Sequence, residues 1–495
     1  MKRRTVLAAV AVVPAVVSAA WALRAAAGED VAGERASVPD FRRAGDRDDS
    51  EAFRRAVATG RTVHLPAGKG RGRGGRYLIA NGPEHRLAPG VRVVGDGIDR
   101  TIVAKSYATA APFVLFFDSG SADPARNGRS FSFRDLTFED EVTEQGFSEF
   151  SYLVMLNGVT DVRFDRVGFR GFRGDGLHLG SGLVLGQERH NVNVTVADCV
   201  FDGVNSNNRN AVSVIDCDGL VIERSRFLNC SRPGDGTINK GDPFNPATGL
   251  QMPGPIDFEP NDDGFAIIRN VTIRGNLFRG GGGFAVCLNL RENTKVRAAQ
   301  RDFTVTDNVI EDRHGGWLTY GYGGDRAITS TRGYAATFSG NTVRRCRTPF
   351  VLNGMRGIAL TGNVISDCDQ HAEIGNLAWN AVVTLSKNRF TRVGLRPIGY
   401  ALWVRECDRL TLDGNEFVDC GLADRRFGIA LAFVSGRMTR LTMRDSRFAS
   451  PAGRMTQAVV AFKDATIDAK TAVIGPQRME IAAPPVRVSL RVASP

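Results

Sequence analysis

Val271-Thr-Ile-Arg-Gly-Asn-Leu-Phe278 is one copy of a short unit that returns along most of this chain. The unit reads apolar-x-apolar-x-x-(Asn or small)-x-(Phe, Ile or Val). It recurs from Val194 to Phe201, Val221 to Phe227, Phe303 to Ile310, Ile358 to Ile365, Leu410 to Phe417 and Leu441 to Phe448. Looser copies run from Phe131 to Phe138 and from Val162 to Phe169. Apolar residues alternate with period two inside each copy, which predicts a strand. Gly, Asn or Asp follows within a few positions, which predicts a turn. Copies return roughly every 22 to 33 residues, with one gap of about fifty between Ser225 and Asn276. Strands this short cannot bury an apolar face alone. Successive turns stacked about 4.8 Å apart bury it continuously and pair each backbone group with the turns above and below. Asn276, Asn308, Asn341, Asn363, Asn388 and Asn415 share one register. Stacked there, their amides can hydrogen-bond along the ladder, and Asn tolerates a left-handed backbone at that position. A leucine-rich repeat would need Leu at several fixed places and a stricter period, and both are missing.

The segment before the repeats carries a second pattern. Asp46-Arg-Asp-Asp-Ser-Glu-Ala-Phe53 leads into a short helix, followed by Val63-His-Leu-Pro-Ala-Gly68, Tyr77-Leu-Ile79 and Val91-Arg-Val-Val-Gly-Asp-Gly97. Asp49 or Ser50 can cap that helix. With the repeats, this opening resembles the pectate-lyase-like superfamily of right-handed parallel β-helix proteins, over about Asp40 to Ala449. The resemblance implies an all-β solenoid with a short N-terminal capping helix. A cap also follows from physics, since an open solenoid end exposes core and strand edges. The expected organisation is an export signal at 1–27, a linker at 28–39, cap and first turns at 40–105, repeats at 106–450, and a C-terminal cap or tail at 451–495. The run Arg71-Gly-Arg-Gly-Gly-Arg76 interrupts the capping pattern and reads as a disordered surface loop, with an anion grip as the alternative.

A chain of 495 residues exceeds what one compact core supports, which agrees with a repeat architecture. Met1-Lys-Arg-Arg4, the apolar stretch from Val6 to Leu23 and Ala25-Ala-Ala27 form an export leader of the secretory or twin-arginine type, or an uncleaved anchor. No other segment is long and apolar enough to span a bilayer, so the chain is expected to be secreted or in the cell envelope. The formal charge is +11, and Lys2, Arg3, Arg4 and Arg24 of the leader contribute to it. The remaining excess suits an acidic polysaccharide. Nucleic acid is a poor partner for an exported chain without a binding motif. The eight cysteines lack zinc spacing. Cys230, Cys346, Cys368 and Cys420 each follow an apolar strand residue by three, and Cys217 and Cys407 each precede a leucine by three. That recurrence predicts free thiols stacked in the core rather than disulfides.

Chemistry is expected at Pro255-Ile-Asp-Phe-Glu-Pro-Asn261. With Ile256 and Phe258 facing the core, Asp257 and Glu259 face outward together, their attachment points about 6.6 Å apart. Such a pair can work as acid and base near the inverting spacing of glycosidases, or hold a calcium ion. Repulsion between them raises one pKa. The surroundings strengthen the reading: flanking prolines, Asp262-Asp263, and the longest insertion among the repeats. Aligned by register, His178, Ser213 and Asp257 fall in one column on successive turns. His178 would lie about 9.6 Å from Asp257, a sugar's width, as a proton-transfer group. Asp175, Arg209, Arg291 and Lys240 are the expected substrate contacts; the arginines can clamp a carboxylate, and Lys240 sits in the long loop from Arg232 to Gly254. Trp317, Tyr320 and Tyr322 are read in a loop, stacking on sugars or packing on the wall.

The resemblance covers lyases, hydrolases, epimerases, phage spikes and uncharacterised members. The Asp-Pro-His motif of alginate epimerases has no counterpart, since this chain reads Asp257-Phe-Glu-Pro260. The aspartate set and Gly-His-Gly of polygalacturonases are absent, as is the Arg-rich strand motif of calcium pectate lyases. The expected function is binding and cleavage of an extracellular uronate polysaccharide, by β-elimination or hydrolysis. A non-catalytic glycan-binding or structural β-helix and a C5-epimerase are the alternatives.

Overall fold

The computed structural model describes residues 35–80, 87–88, 90–108, 112–233, 253–261, 263–291, 300–322, 336–355, 357–375, 382–396, 399–405, 407–422, 428–467 and 472–481. The export leader, most of the linker, Lys240 and Asp262 lie outside these residues.

The chain winds as a right-handed parallel β-helix. One column is a 12-stranded parallel sheet running from Phe113–Asp118 to Gln457–Ile467. Two further columns belong to a continuous 28-stranded sheet. They merge at the start, where Ser132–Glu139 and Val159–Arg170 pair along nearly their whole length. They then separate into a column beginning at Val192–Ala197 and one beginning at Val200–Asp202. The quoted repeat supplies a strand to each of these two columns, with the Asn at the bend between. Register agrees with the sequence alignment except at one copy. Val271 pairs with Leu220, not Val221, because Leu220 is the fully buried residue.

The core is a file of like residues. Phe169, Phe201, Phe227 and Phe278 stack with ring centroids 4.4, 4.9 and 4.6 Å apart. Phe390, Phe417 and Phe448 repeat the arrangement at 4.9 and 5.2 Å. All eight cysteines are buried and free. Trp317 is also core, stacked between Phe338 and Phe350 at 4.8 and 5.4 Å. It lies on strand Gly315–Tyr322 rather than in a loop, and Tyr320 on the same strand is exposed.

The asparagine ladder is continuous. The side-chain amide of Asn276 donates to Asn308 Oδ1 at 2.9 Å, and the same bond links Asn308 to Asn341, Asn341 to Asn363, Asn363 to Asn388 and Asn388 to Asn415. Each amide also donates to a backbone carbonyl, as Asn341 does to Val305 at 2.9 Å. The left-handed residue is the one before each Asn: Gly275, Asp307, Gly340, Gly362, Lys387 and Gly414. The Asn is therefore selected for its amide, which satisfies backbone groups at the bend, and not for its backbone freedom.

Helix Ser50–Val57 packs Ala52, Phe53, Ala56 and Val57 into the first turns. Asp49 occupies the N-cap position, but its carboxylate turns away and accepts from the backbone N–H of Arg71 and Leu78. Asp48 accepts from Ser50 N–H instead. The Arg71–Arg76 run is thereby pinned to the helix start, and Arg76 pairs with Glu139 at 3.0 Å, so this insert is an ordered turn. At the other end the ladders pass residue 450. Strands Gln457–Ile467 and Arg478–Glu480 pair with the turn before them. Many surface arginines are matched across turns, as in Arg166–Asp135 and Arg224–Asp198. Such pairs contribute little stability and absorb much of the basic excess.

Asn341→Ala is expected to lower the unfolding free energy by about 3 kcal/mol, since it strands buried donors on Asn308. Urea denaturation measures this, and an unchanged midpoint would remove the ladder from the list of structural determinants.

Candidate functional site

The 12-stranded sheet carries the site on its outer face. His178 pairs with Ser213, and Ser213 with Asp257, on strands Leu177–Gly180, Val212–Val214 and Ile256–Phe258. The three side chains form a column because flanking residues such as Leu177, Leu179, Val212, Val214, Ile256 and Phe258 take the core side. Outer face does not mean exposed here. Asp257 is 1% exposed and Ser213 is 2% exposed.

Arg209 crosses this face and joins several turns. Its Nη1 donates to both Asp175 oxygens at 3.3 Å and to Ser213 Oγ at 3.0 Å. Its Nη2 donates to Glu259 Oε2 at 3.2 Å, and its Nε lies 3.5 Å from Glu149 Oε1. The guanidinium is occupied by the protein's own acids, so Arg209 is a strap between turns rather than the substrate clamp expected. Burial lowers its pKa, but the charges of Asp175, Asp257, Glu259 and Glu149 outweigh that and hold it above the ordinary arginine range.

Asp175 is fully buried beneath His178, whose Nδ1 is 2.9 Å from Asp175 Oδ2. It therefore orients the imidazole and does not reach a substrate. Burial pushes Asp175 up, yet the Arg209 charge and the His178 contact hold it below 3.8. Tyr152, on the preceding turn, stacks on the imidazole at 4.7 Å. Gly180 packs closely here, since a Cβ there would sit 2.3 Å from Asn157 Oδ1 and 3.1 Å from His178 Cδ2.

Glu259 stands beside Asp257. Burial raises the Asp257 pKa well above 3.8, Glu259 raises it further, and Arg209 and the Asn289 bond only partly oppose this. Asn289 donates to Asp257 Oδ1 at 2.8 Å. Asn210, with its amide nitrogen toward Gly254 O at 2.9 Å, sets its own oxygen 3.3 Å from Asp257 Oδ2. Two oxygens at that distance attract only when one carries a proton.

Arg291 ends strand Phe284–Arg291, where its backbone pairs with Tyr322 on the following turn. Its side chain, like Lys240, lies outside the described residues. Among those residues, no three His, Cys, Asp or Glu side chains gather at metal-ligand spacing. Arg209 already supplies the positive charge among the acids, so this donor set does not fit calcium. No described helix is long and apolar enough to cross a membrane. Reading the sequence missed Tyr152, Asn210, Asn289, Glu149 and Gly180. None belongs to the repeat unit, so only spatial proximity reveals them.

Residues 296–469 match the family described as right handed beta helix region. No curated protein matches in sequence. The A-module of the Azotobacter vinelandii mannuronan C-5 epimerase AlgE6 is similar in structure, with TM-score 0.53 and 16% identity over 89% of this chain and 99% of that one. The N-terminal fragment of bacteriophage Phi29 gene product 12 gives 0.54 and 11% over 90% and 72%. A double-mutant tailspike protein of E. coli bacteriophage HK620, in complex with a pentasaccharide, gives 0.52 and 14% over 87% and 79%. These likenesses establish that the chain is a right-handed parallel β-helix protein, as the resemblance to the pectate-lyase-like superfamily implied.

The two buried aspartates have opposite pH signatures. Asp175 stabilises the fold above pH 3.8, and that contribution is lost as pH falls through its lower folded value. Asp257 does the reverse: the fold loses stability as pH rises from 3.8 toward its raised folded value. Asp257→Asn, which mimics the protonated acid, is expected to raise Tm at pH 7 and to leave it unchanged near pH 3. A lower Tm at pH 7 would mean that Asp257 is ionised in the fold.

Proposed function

We propose that this chain binds and cleaves an extracellular acidic polysaccharide by β-elimination at a uronate residue. The observation that carries this reading is a histidine and a buried aspartic acid, His178 and Asp257, on one column two ladder steps apart, about 9.6 Å. That separation spans a sugar ring. With Nδ1–H donating to Asp175, the His178 Nε2 lone pair is free to take the proton beside the uronate carboxylate. Asp257 is buried behind the groove, so Glu259, held by Arg209, is the member of the pair that meets the uronate side. The raised pKa of Asp257 limits the negative charge that would oppose charge growing on that carboxylate. The bond from the ring carbon to the glycosidic oxygen then breaks and a carbon–carbon double bond forms. The departing oxygen takes the proton from the His178 imidazolium, which restores the base. Tyr152 and Asp175 fix the ring, and Arg209 fixes the acids. Elimination is favoured over hydrolysis because Asp257 is buried too deeply to serve a catalytic water. The similar folds of a mannuronan epimerase and of a tailspike holding a pentasaccharide support a glycan as the partner. Secretion through the leader accords with such a polymer.

A panel of uronate polysaccharides with the purified protein tests this. The expected product carries unsaturated ends that absorb in the ultraviolet, and activity survives EDTA. His178→Asn is expected to lower kcat/KM by about 10²–10⁴. New reducing ends without absorbance would replace elimination by hydrolysis. Changed sugar configuration without cleavage would make the chain an epimerase. Binding unaffected by His178→Asn, with no turnover on any polymer, would make it a glycan-binding module.

A further inference from the structure

A cavity of about 340 Å³ opens beside His178. Tyr152 and Met155 line its floor, on the strand that pairs with the His178 strand. Its rim is the turn after that strand, where Leu183, Val184 and Leu185 are 40%, 63% and 70% exposed. Three consecutive apolar side chains held in water are unusual on a soluble surface. They are held there by construction. Gln187 Oε1 accepts from Leu183 N–H at 2.7 Å and Val184 N–H at 3.3 Å, and Gln187 N–H closes the turn onto Val184 O at 3.2 Å. Both ends are tied down. Asn261 donates to Ser181 Oγ at 3.1 Å, and Arg189 donates to Asp118 Oδ1 at 2.7 Å.

Among the described residues, no Asp, Glu, Lys or Arg lines the cavity. The polar groups that face it are His178, Ser181 and Asn261. It therefore has nothing to recognise a carboxylate. Phe113, Phe150 and Tyr152 line it with rings that accept the flat face of a sugar, while the aliphatic Leu183, Val184 and Leu185 recognise an alkyl group. We infer that this cavity is a subsite for the acyl ester, such as an O-acetyl group, of a sugar unit next to the uronate held at His178. The inference rests on the glycan reading above and adds the decoration of the substrate. The acyl methyl packs against Val184 and Leu185, and the ester oxygens meet Ser181 and Asn261.

The test uses partially O-acetylated polygalacturonate and mannuronan, each beside its alkali-deacetylated parent. Binding is read by affinity electrophoresis and turnover by ultraviolet absorbance, for the full chain and for the double variant V184S/L185S. Both substituted side chains are exposed, so folding is unaffected. The wild type is expected to prefer the acetylated polymer by about tenfold, which the double variant loses while its action on the deacetylated polymer is unchanged. Equal affinity for the two forms, no binding to either, or equal loss on both in the variant would overturn the inference. So would a wild-type dimer in sedimentation that the variant dissolves, since the patch then serves a second copy. Acetyl-selective binding without turnover would refute elimination and leave the subsite standing.

Discussion

Parallel stacking in fixed register is the constraint on which the rest of this molecule depends. Each turn pairs its backbone with the next, so a residue's neighbours above and below are chosen by the ladder and not by the sequence around it. The asparagine ladder enforces that register at the bend, where backbone groups would otherwise be buried without partners. The same constraint acts on the opposite column. It brings His178, Ser213 and Asp257 together although they come from distant parts of the chain.

Once side chains are stacked this tightly, electrostatics decides their states. Glu149, Asp175, Asp257 and Glu259 surround the single guanidinium of Arg209. One positive charge cannot compensate four buried or half-buried carboxylates. Asp175 lies against both Arg209 and His178 and keeps its charge. Asp257 is fully buried and beside Glu259, and its pKa is driven well above the usual carboxylate range. A base and an acid thus arise on one face from residues of similar chemistry, by position alone.

The fold was legible in the sequence because it is periodic. The alternation from Val271 to Phe278, its copies and the recurring Asn each encode a local preference that the ladder then repeats. The column of His178, Ser213 and Asp257 was legible for the same reason, since period two within a strand sets which side chains point outward. Arg209 was legible as a site residue but not in its role. Its partners Glu149, Asp175 and Glu259 sit on different turns, and nothing local states that it will spend its donors on them. The same holds for Trp317, whose glycine-rich surroundings read as a loop while the ladder drew it into a core stack.

The sequence by itself determined the solenoid, the free core thiols and which strands face outward, because alternation and turn chemistry act between near neighbours. Only the tertiary structure decided that Asp257 is buried with a raised pKa, that Asp175 orients His178, and that the apolar turn at Leu183–Leu185 borders the same face. Those properties depend on solvent exclusion and on charges brought together from separate turns, and neither is written in any one stretch of chain.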